Sequence, residues 1–267
     1  MTGAYVLAGR DRAGREAERE RLELVQRYHD PLSVAALEAA GVDAGWRVWE
    51  VGAGAGSIAR WLAERVGPGG EVVATDLDPS AVAALGLPNV RAVRHDVLAD
   101  PPPADGLDLV HVRLVLLHLP RRAEAVARMA AALRPGGMLV AGEIDFAGHA
   151  PIAPSAAWDR VWEAFAETVA DAGWDPEVGG RLPGLLEAAG LDGVEGRALG
   201  GYVRGGSLRC RLQRSTFERL RGAMTAGGGC AGADIDEVGR LLMDPAAAFR
   251  APTAWTVWGR RPGGPRA

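Results

Sequence analysis

The chain is notable for what it lacks: it has no lysine, only two cysteines and no long hydrophobic run. All 30 basic residues are therefore arginine, and together with abundant alanine, glycine and proline this indicates a GC-rich coding bias rather than a particular chemistry. Cys210 and Cys230 are far apart and have no His or Cys neighbours at zinc-ligand spacing. This excludes a disulfide framework, a Cys-x-x-Cys redox pair and a structural zinc site, and two free thiols in a reducing cytosol are expected.

Two further absences concern membranes and nucleic acids. No apolar run reaches the roughly 18 residues of a membrane span, and charged residues occupy the N-terminal stretch where a signal peptide would be apolar. The formal net charge is −4 and the sequence pI about 5.8, so no global positive field exists to hold a phosphate backbone or an anionic bilayer. We therefore expect a cytoplasmic protein without a membrane or nucleic-acid partner.

What the sequence does contain is an alternation of short apolar strands with amphipathic helices. At 267 residues and 48% hydrophobic content the chain can bury one full-sized core. The alternation predicts a doubly wound, Rossmann-like α/β fold with a mostly parallel seven-stranded sheet. Strands are predicted at 48–51, 71–75, 90–93, 107–112, 138–144 and 255–258.

The remaining patterns predict helices at both ends of this alternation. Residues 14–40 are expected to form two helices with a break near Asp30-Pro31. We predict a helical cap over 1–46 and the sheet core over 47–150. Residues 151–261 are predicted to form a helical lid inserted after the fifth strand and to complete the sheet. Residues 262–267 are predicted to form a tail.

A glycine-rich turn lies between the first predicted strand and the following helix. Glu50 to Gly56 reads Glu-Val-Gly-Ala-Gly-Ala-Gly, and glycines there let the backbone approach a ligand next to the free N–H groups of a helix start. Dinucleotide-binding enzymes use Gly-x-Gly-x-x-Gly, whereas here the third glycine comes one position early and Ser57 follows it. A nicotinamide-dependent dehydrogenase is therefore disfavoured.

Two acidic residues follow the next two strands. Asp76 ends the second strand, where a carboxylate can accept hydrogen bonds from both hydroxyls of a ribose. Asp96 follows the third strand, where a carboxylate can accept from an adenine amino group. Either residue alone is also typical of a solvated loop or a helix cap, but the placement of both at successive strand ends favours a nucleoside site.

With Leu107–Leu119 and the Arg-Pro-Gly-Gly stretch at 134–137, these motifs resemble class I S-adenosylmethionine-dependent methyltransferases, in particular bacterial small-molecule and natural-product tailoring enzymes. The resemblance is strong over about residues 45–145. It implies S-adenosylmethionine as the cofactor, S-adenosylhomocysteine as the product, Glu50 near the methionine amino group, and Arg113 near its carboxylate. The remaining implied contacts are the turn residues Gly52, Ala53, Gly54 and Gly56, with Asp76, Leu77, Asp96 and Val97 around ribose and adenine.

Candidate substrate residues come from the strand ends and the inserted helices. His118 and His149 follow the fourth and fifth strands, where ligands bind in open α/β sheets, and either could contact the acceptor or act as a base. Three aromatic residues fall on one helical face and, with Tyr5, could wall an acceptor pocket or belong to a core: Trp158, Trp162 and Phe165. His111 and Arg113 stand where metal-dependent relatives carry carboxylates, so no metal is expected.

The sequence thus predicts methyl transfer to an O, N or C atom of a small acceptor by in-line displacement. Two alternatives stay open. An arginine-rich stretch over 181–221 could serve an RNA or protein substrate, and the cofactor could instead assist a reaction such as a cyclisation. Whether the protein forms a homodimer is also open.

Overall fold

The computed structural model describes residues 12–263 and divides them into two compact units. The helical unit comprises residues 12–28, 145–177 and 199–253, and the sheet unit comprises 29–144, 178–198 and 254–263. Three strands and the first helix contribute residues to both units. No helix in the described part of the chain is both long enough and apolar enough to cross a bilayer.

Eight strands form one sheet in the order β3-β2-β1-β4-β5-β8-β6, with β7 also paired to β8. The strands from β1 to β5 run parallel where they pair, and β6 runs antiparallel to β8. Their bounds are β1 Arg47–Val51, β2 Glu71–Asp76, β3 Val90–Arg94, β4 Leu107–Arg113, β5 Leu133–Asp145, β6 Ala150–Pro151, β7 Asp192–Arg204 and β8 Ala248–Arg260.

The helices alternate with the first five strands and then predominate. Their bounds are α1 Arg12–Ala39, α2 Ser57–Val66, α3 Ser80–Ala83, α4 Arg122–Ala132, α5 Ala156–Asp171, α6 Val178–Ala188, α7 Leu208–Ala226 and α8 Gly232–Met243, with a 3-10 helix at Leu116–His118. Helices α5, α7 and α8 pack against one another around a core that includes Phe165, Phe217 and Phe249. The sheet unit has a core between α1, α2 and the parallel strands that includes Leu37, Leu62 and Leu109.

The predicted fold class is confirmed, but the strand count is wrong: the described sheet has eight strands rather than seven. The unpredicted long strand is β7, whose thirteen residues include four glycines and are almost all exposed. A strand without a buried face has no hydrophobic alternation, so its sequence resembles a loop. It is recognisable in the structure because it pairs with β8.

The predicted break near Pro31 is also wrong, because α1 continues through this residue as one 28-residue helix. Proline removes the N–H that would bond the carbonyl four residues earlier, but it does not end a helix whose other contacts hold it. Pro31 is exposed, while Leu37, six residues later in the same helix, is fully buried in the sheet-unit core. Packing of that buried face outweighs the missing hydrogen bond.

Candidate active site

The glycine-rich turn connects β1 to α2 and is held by the end of β2. The N–H groups of Gly52 and Ala53 both donate to the Thr75 carbonyl, at 2.8 and 3.0 Å. Gly52, Gly54 and Gly56 all have positive φ angles, of 68°, 54° and 83°. Side-chain-bearing residues rarely adopt this region, so the backbone path of the turn itself requires glycine.

The three glycines differ in what surrounds them. A Cβ atom on Gly52 would lie 2.2 Å from the Val115 side chain, and one on Gly56 would lie 2.8 Å from Leu85. A Cβ on Gly54 would meet no atom within 4 Å. Gly52 is therefore required by a neighbour within the protein, and Gly56 lies against the flexible end of Leu85. Gly54 instead presents bare backbone to open space where a ligand can approach.

The register of the parallel strands brings the other predicted residues to the same edge of the sheet. Val51 pairs with Thr75 on one side and with Val112 on the other, and Asp76 pairs with Arg94. The strand ends that carry the predicted site residues are thus aligned. This is the edge at which open α/β sheets bind ligands.

Asp76 is bound directly to the turn. Its Oδ2 accepts the N–H of Gly54 at 2.9 Å, and its Oδ1 accepts the N–H of Asp78 at 3.1 Å. Each carboxylate oxygen keeps a second lone pair for a further donor. Beside it the Leu77 side chain is 52% exposed, one of few large apolar side chains so exposed among the described residues. An apolar surface next to a fixed carboxylate suits a nucleoside, whose sugar is polar and whose base is flat.

Asp96 organises its own loop. Its Oδ1 accepts the N–H of Leu98 at 2.9 Å, and its backbone N–H donates to Asp100 Oδ2 at 2.8 Å. Val97, the next residue in the chain, is buried. These contacts are typical of a loop cap, so a contact between Asp96 or Val97 and adenine stays a prediction.

Glu50 is buried and paired with a histidine of the neighbouring strand. His111 Nδ1 donates to Glu50 Oε2 at 2.6 Å, and the two residues are direct partners in the β1–β4 register. The Nε2 atom of His111 is buried and has no hydrogen-bond partner within residues 12–263. A buried polar atom without a partner is costly, and this one lies next to the acid predicted to orient the methionine amino group.

Arg113 is bound within the chain. Its guanidinium donates to Asp30 Oδ1 at 2.7 Å and to Ser33 Oγ at 3.3 Å, and Ser57 Oγ also donates to Asp30 Oδ1, at 3.0 Å. Asp30 thereby connects α1, the end of β4 and the first residue of α2. The predicted contact of Arg113 with the methionine carboxylate stays a prediction, and it must coexist with this ion pair.

Glu143 on β5 supports the turn that follows β4. Leu114 there has a φ of 54°, rare for a residue with a side chain. Glu143 Oε1 accepts the next two backbone N–H groups, of Val115 at 3.0 Å and of Leu116 at 2.7 Å. Burial raises the pKa of Glu143 to about 8, against the lowering effect of these hydrogen bonds and of Arg122. A cleft lined by Glu143, Arg113, His29 and Ser33 has a volume of about 10 Å³, room for about one water molecule.

The two candidate catalytic histidines lie in different units. His118 is half-buried and ends the 3-10 helix of the sheet unit. His149 is buried in the helical unit, where its Nδ1 donates to the Arg250 carbonyl at 2.7 Å. Burial, followed by the nearby charge of Arg209, lowers the pKa of His149 to about 3. The ring is therefore neutral at physiological pH with Nε2 as its acceptor atom, and it is a weak base.

The predicted aromatic stripe is present on α5. Trp158 and Phe165 are buried in the helical-unit core, and Trp162 is half-buried. The rings of Trp158 and Trp162 stack with centroids 5.9 Å apart, and His149 contacts both edge-on. Tyr5 lies outside the described residues. A separate cleft of about 350 Å³ in the same unit contains none of the predicted site residues.

Sequence reasoning missed four residues that this geometry singles out: Asp30, His111 as the partner of Glu50, Glu143 and Arg209. The parallel pairing of β1 with β4 could have suggested Glu50 and His111, since both occupy buried strands. Asp30 and Glu143 belong to no motif, and Arg209 was noted only as one member of the arginine-rich stretch. Across residues 12–263 no three His, Cys, Asp or Glu side chains cluster as metal ligands would, and the expectation that no metal is used stays a prediction.

Comparison with known proteins agrees with this geometry. Residues 49–139 match the family model described as a methyltransferase domain. Methyltransferase str2 of Strobilurus tenacellus is 33% identical over 145 residues, which is 54% of this chain and 52% of the relative. The ubiquinone/menaquinone biosynthesis C-methyltransferase UbiE of Ectopseudomonas mendocina is 31% identical over 121 residues, 42% of this chain and 47% of the relative. The chain thus spans about half the length of the curated relatives it matches.

Among solved structures, the YcgJ protein of Bacillus subtilis superimposes with a TM-score of 0.58 at 18% identity, covering 88% of this chain and all of that one. At this identity the likeness concerns the fold. The matched segment 49–139 contains the glycine turn, Asp76, Asp96 and Arg113. Over residues 49–139 the chain is thus similar in sequence to methyltransferase domains, and its fold is that of the solved structure it superimposes on.

Proposed function

We propose that the protein transfers a methyl group from S-adenosylmethionine to an O, N or C atom of a small-molecule acceptor, of the secondary-metabolite kind. The observation that carries the proposal is the open side of Gly54, whose N–H is fixed by the Asp76 carboxylate. The names of the relatives support it, since they are methyltransferases and one of them acts in quinone biosynthesis.

The residues present fit this cofactor. The bare backbone at Gly54 gives the methionine part a close approach. His111 Nε2, which has no hydrogen-bond partner among residues 12–263, marks a polar position next to Glu50. Asp76 would accept from the ribose hydroxyls, with the exposed Leu77 side chain against the adenine. Asp96 and Val97 would complete the adenine contacts, and Arg113 would face the carboxylate end.

When bound, S-adenosylmethionine supplies a methyl group on a positively charged sulfur, which makes that carbon electrophilic. The protein's contribution is then mainly to align the acceptor with this carbon and to exclude water. A base is needed only if the acceptor must lose a proton during attack. His118 is the candidate base in the sheet unit, because its half-buried ring follows β4 at the ligand-binding edge.

The first test is cofactor binding, measured by titration calorimetry with S-adenosylhomocysteine. We expect the wild-type chain to bind it and Asp76→Asn to bind it at least about tenfold more weakly, because a charged acceptor of the ribose hydroxyls becomes a neutral one. Asp105→Asn is the matched control, since Asp105 is an exposed loop acid. It should bind like the wild type.

The second test is release of S-adenosylhomocysteine from S-adenosylmethionine in the presence of a panel of small phenols, amines and activated carbon acids. Product formation that depends on one acceptor establishes the activity. Failure of the wild-type chain to bind S-adenosylhomocysteine would refute the proposal. If the chain binds S-adenosylhomocysteine but no acceptor class is methylated, the protein binds the cofactor and the proposal of methyl transfer is refuted.

A further inference from the structure

The helical unit contains a buried arginine that has no acidic partner among the described residues. Arg209 on α7 is only 3% exposed, and its Nη2 makes one hydrogen bond, to Gln213 Oε1 at 2.5 Å. Its guanidinium lies over the rings of Tyr28 and Phe146, at 6.0 and 5.6 Å from their centroids. Its Nε atom has no hydrogen-bond partner within residues 12–263.

No described carboxylate compensates this charge. The groups that act on Arg209 electrostatically are the Tyr28 phenol and the Cys210 thiol, and neither is a carboxylate. Burial lowers the pKa of Arg209 to about 10, so the guanidinium is still charged at neutral pH. Buried charges in proteins are normally paired, and an uncompensated one is strongly unfavourable. Contact with two aromatic rings offsets only a part of this cost.

Two other buried polar atoms in the same unit also have no hydrogen-bond partner in the described part of the chain. They are Nε2 of Gln213, which is a donor, and Nε2 of His149, which is an acceptor because Nδ1 of the ring donates to a carbonyl. The Phe146 ring contacts both Arg209 and His149, with the histidine centroid 6.0 Å away. Trp162 adds a half-buried indole at 5.6 Å from Phe146. The cluster of Arg209, Gln213, His149, Phe146 and Trp162 therefore holds one positive charge, two donors and one acceptor without partners among the described residues, and aromatic rings beside them.

We propose that this cluster is a binding site for the carboxylate of an aromatic acid. Arg209 and Gln213 donate to the carboxylate oxygens, Phe146 and Trp162 contact the ring, and His149 Nε2 accepts from a hydroxyl or amino substituent. A monoanion fits because the site has a single positive charge, and the planar guanidinium matches the planar carboxylate. That the aromatic acid is the methyl acceptor rests on the function proposed above.

The probe is benzoate, titrated into the full chain by calorimetry, with benzamide and acetate as matched ligands. Benzamide keeps the ring and shape of benzoate but has no charge, and acetate keeps the charge but has no ring. We expect saturable benzoate binding, with benzamide and acetate each at least about tenfold weaker. No saturable benzoate binding up to about 10 mM would overturn the proposal, as would equal binding of benzamide.

The matched variants are Arg209→Met and Arg214→Met, which lie on the same helix. Arg214 is exposed, so its loss should leave benzoate affinity unchanged, whereas Arg209→Met should reduce it at least about tenfold. Unchanged benzoate binding in folded Arg209→Met overturns the assignment. If circular dichroism shows that this variant does not fold, Gln213→Leu replaces it, with weaker benzoate binding expected and unchanged binding contradicting the site.

Binding of S-adenosylhomocysteine is measured on the same samples. A wild-type chain that binds S-adenosylhomocysteine but not benzoate refutes only the aromatic-acid site. A chain that binds benzoate through Arg209 but not S-adenosylhomocysteine keeps this site and refutes the proposed methyl transfer. The two proposals therefore fail separately.

Discussion

The Glu143 carboxyl group has a pH-dependent effect on stability that follows from its surroundings. Burial raises its pKa to about 8, from an ordinary value of 4.5 that applies when the chain is unfolded. Between these two values the folded state binds more protons than the unfolded state. The free energy of unfolding therefore falls as the pH rises through this window, by at most about 1.4 kcal/mol per pH unit from this group.

Glu143→Gln should remove this dependence. The glutamine Oε1 can accept the same N–H groups of Val115 and Leu116, while its amide is neutral at every pH. Near pH 5 we expect the variant to be less stable by about 1–3 kcal/mol, because its NH₂ group brings two donors where the protonated Oε2 brings one, and Oε2 has no hydrogen-bond partner within residues 12–263. Between pH 5 and pH 9 the advantage of the wild type should shrink by at least about 2 kcal/mol.

Urea unfolding at each pH measures this difference, and the exposed Glu187→Gln serves as the control. The control and the wild type should give parallel curves of unfolding free energy against pH. If the Glu143→Gln curve is also parallel to the wild type, Glu143 is not protonated in the folded protein.

Single site residues were predictable where they belong to a local pattern. Gly54 lies just after β1 and Asp76 ends β2, two strands that the sequence reveals, and a hydrogen bond joins the two residues. Asp30 and Arg209 follow no pattern of their own, because their significance comes from partners distant in the chain or from the absence of one. A contact between residues distant in the chain produces no periodic pattern in the sequence, and neither does the absence of a partner.

At the scale of elements, the turn between β1 and α2 gives a prediction that separates strain from ligand contact. Gly54 and Gly106 both have positive φ, 54° and 68°, and a Cβ on either meets no atom within 4 Å. Gly54→Ala and Gly106→Ala should therefore lose similar stability, about 1 kcal/mol each, through backbone strain alone. Only Gly54→Ala should bind S-adenosylhomocysteine more weakly, by at least about tenfold, because its methyl group occupies the open side of the turn.

Thermal unfolding and calorimetry on the two variants check this prediction together. Gly106 lies just before β4, at the end of the sheet opposite to the glycine turn. A methyl group added at Gly106 therefore cannot contact a ligand bound at that turn. Equal affinity of both variants for S-adenosylhomocysteine would mean that Gly54 does not face the cofactor.

The elements themselves show which sequence signals are reliable. The buried strands β1, β2 and β4 were predicted almost to the residue, because burial on one or both faces imposes a hydrophobic pattern. The exposed β7 was missed and α1 was wrongly divided at Pro31. In both cases pairing or packing with other parts of the chain determines the structure, whereas the local sequence favours a loop or a helix end.

At the scale of the whole molecule, the net charge of −4, the burial of Arg209 and the ion pairs of Arg221 argue against a nucleic-acid substrate. In the arginine-rich stretch Arg209 is buried. Arg221 is bound to Glu218 at 2.8 Å and to Asp236 at 2.6 Å. A labelled single-stranded RNA should therefore bind no more tightly than about 1 μM in fluorescence anisotropy at about 50 mM salt.

The double variant Glu218→Gln with Asp236→Asn tests whether this pairing is the reason. It frees the Arg221 guanidinium and makes the local charge two units more positive, so RNA affinity at low salt should rise and should weaken again towards about 200 mM salt. The outcome that contradicts the argument is tight binding by the wild type with an affinity that falls by about a thousandfold between those salt concentrations. Such a fall needs several free cations on one surface, and the substrate would then be a nucleic acid rather than a small molecule.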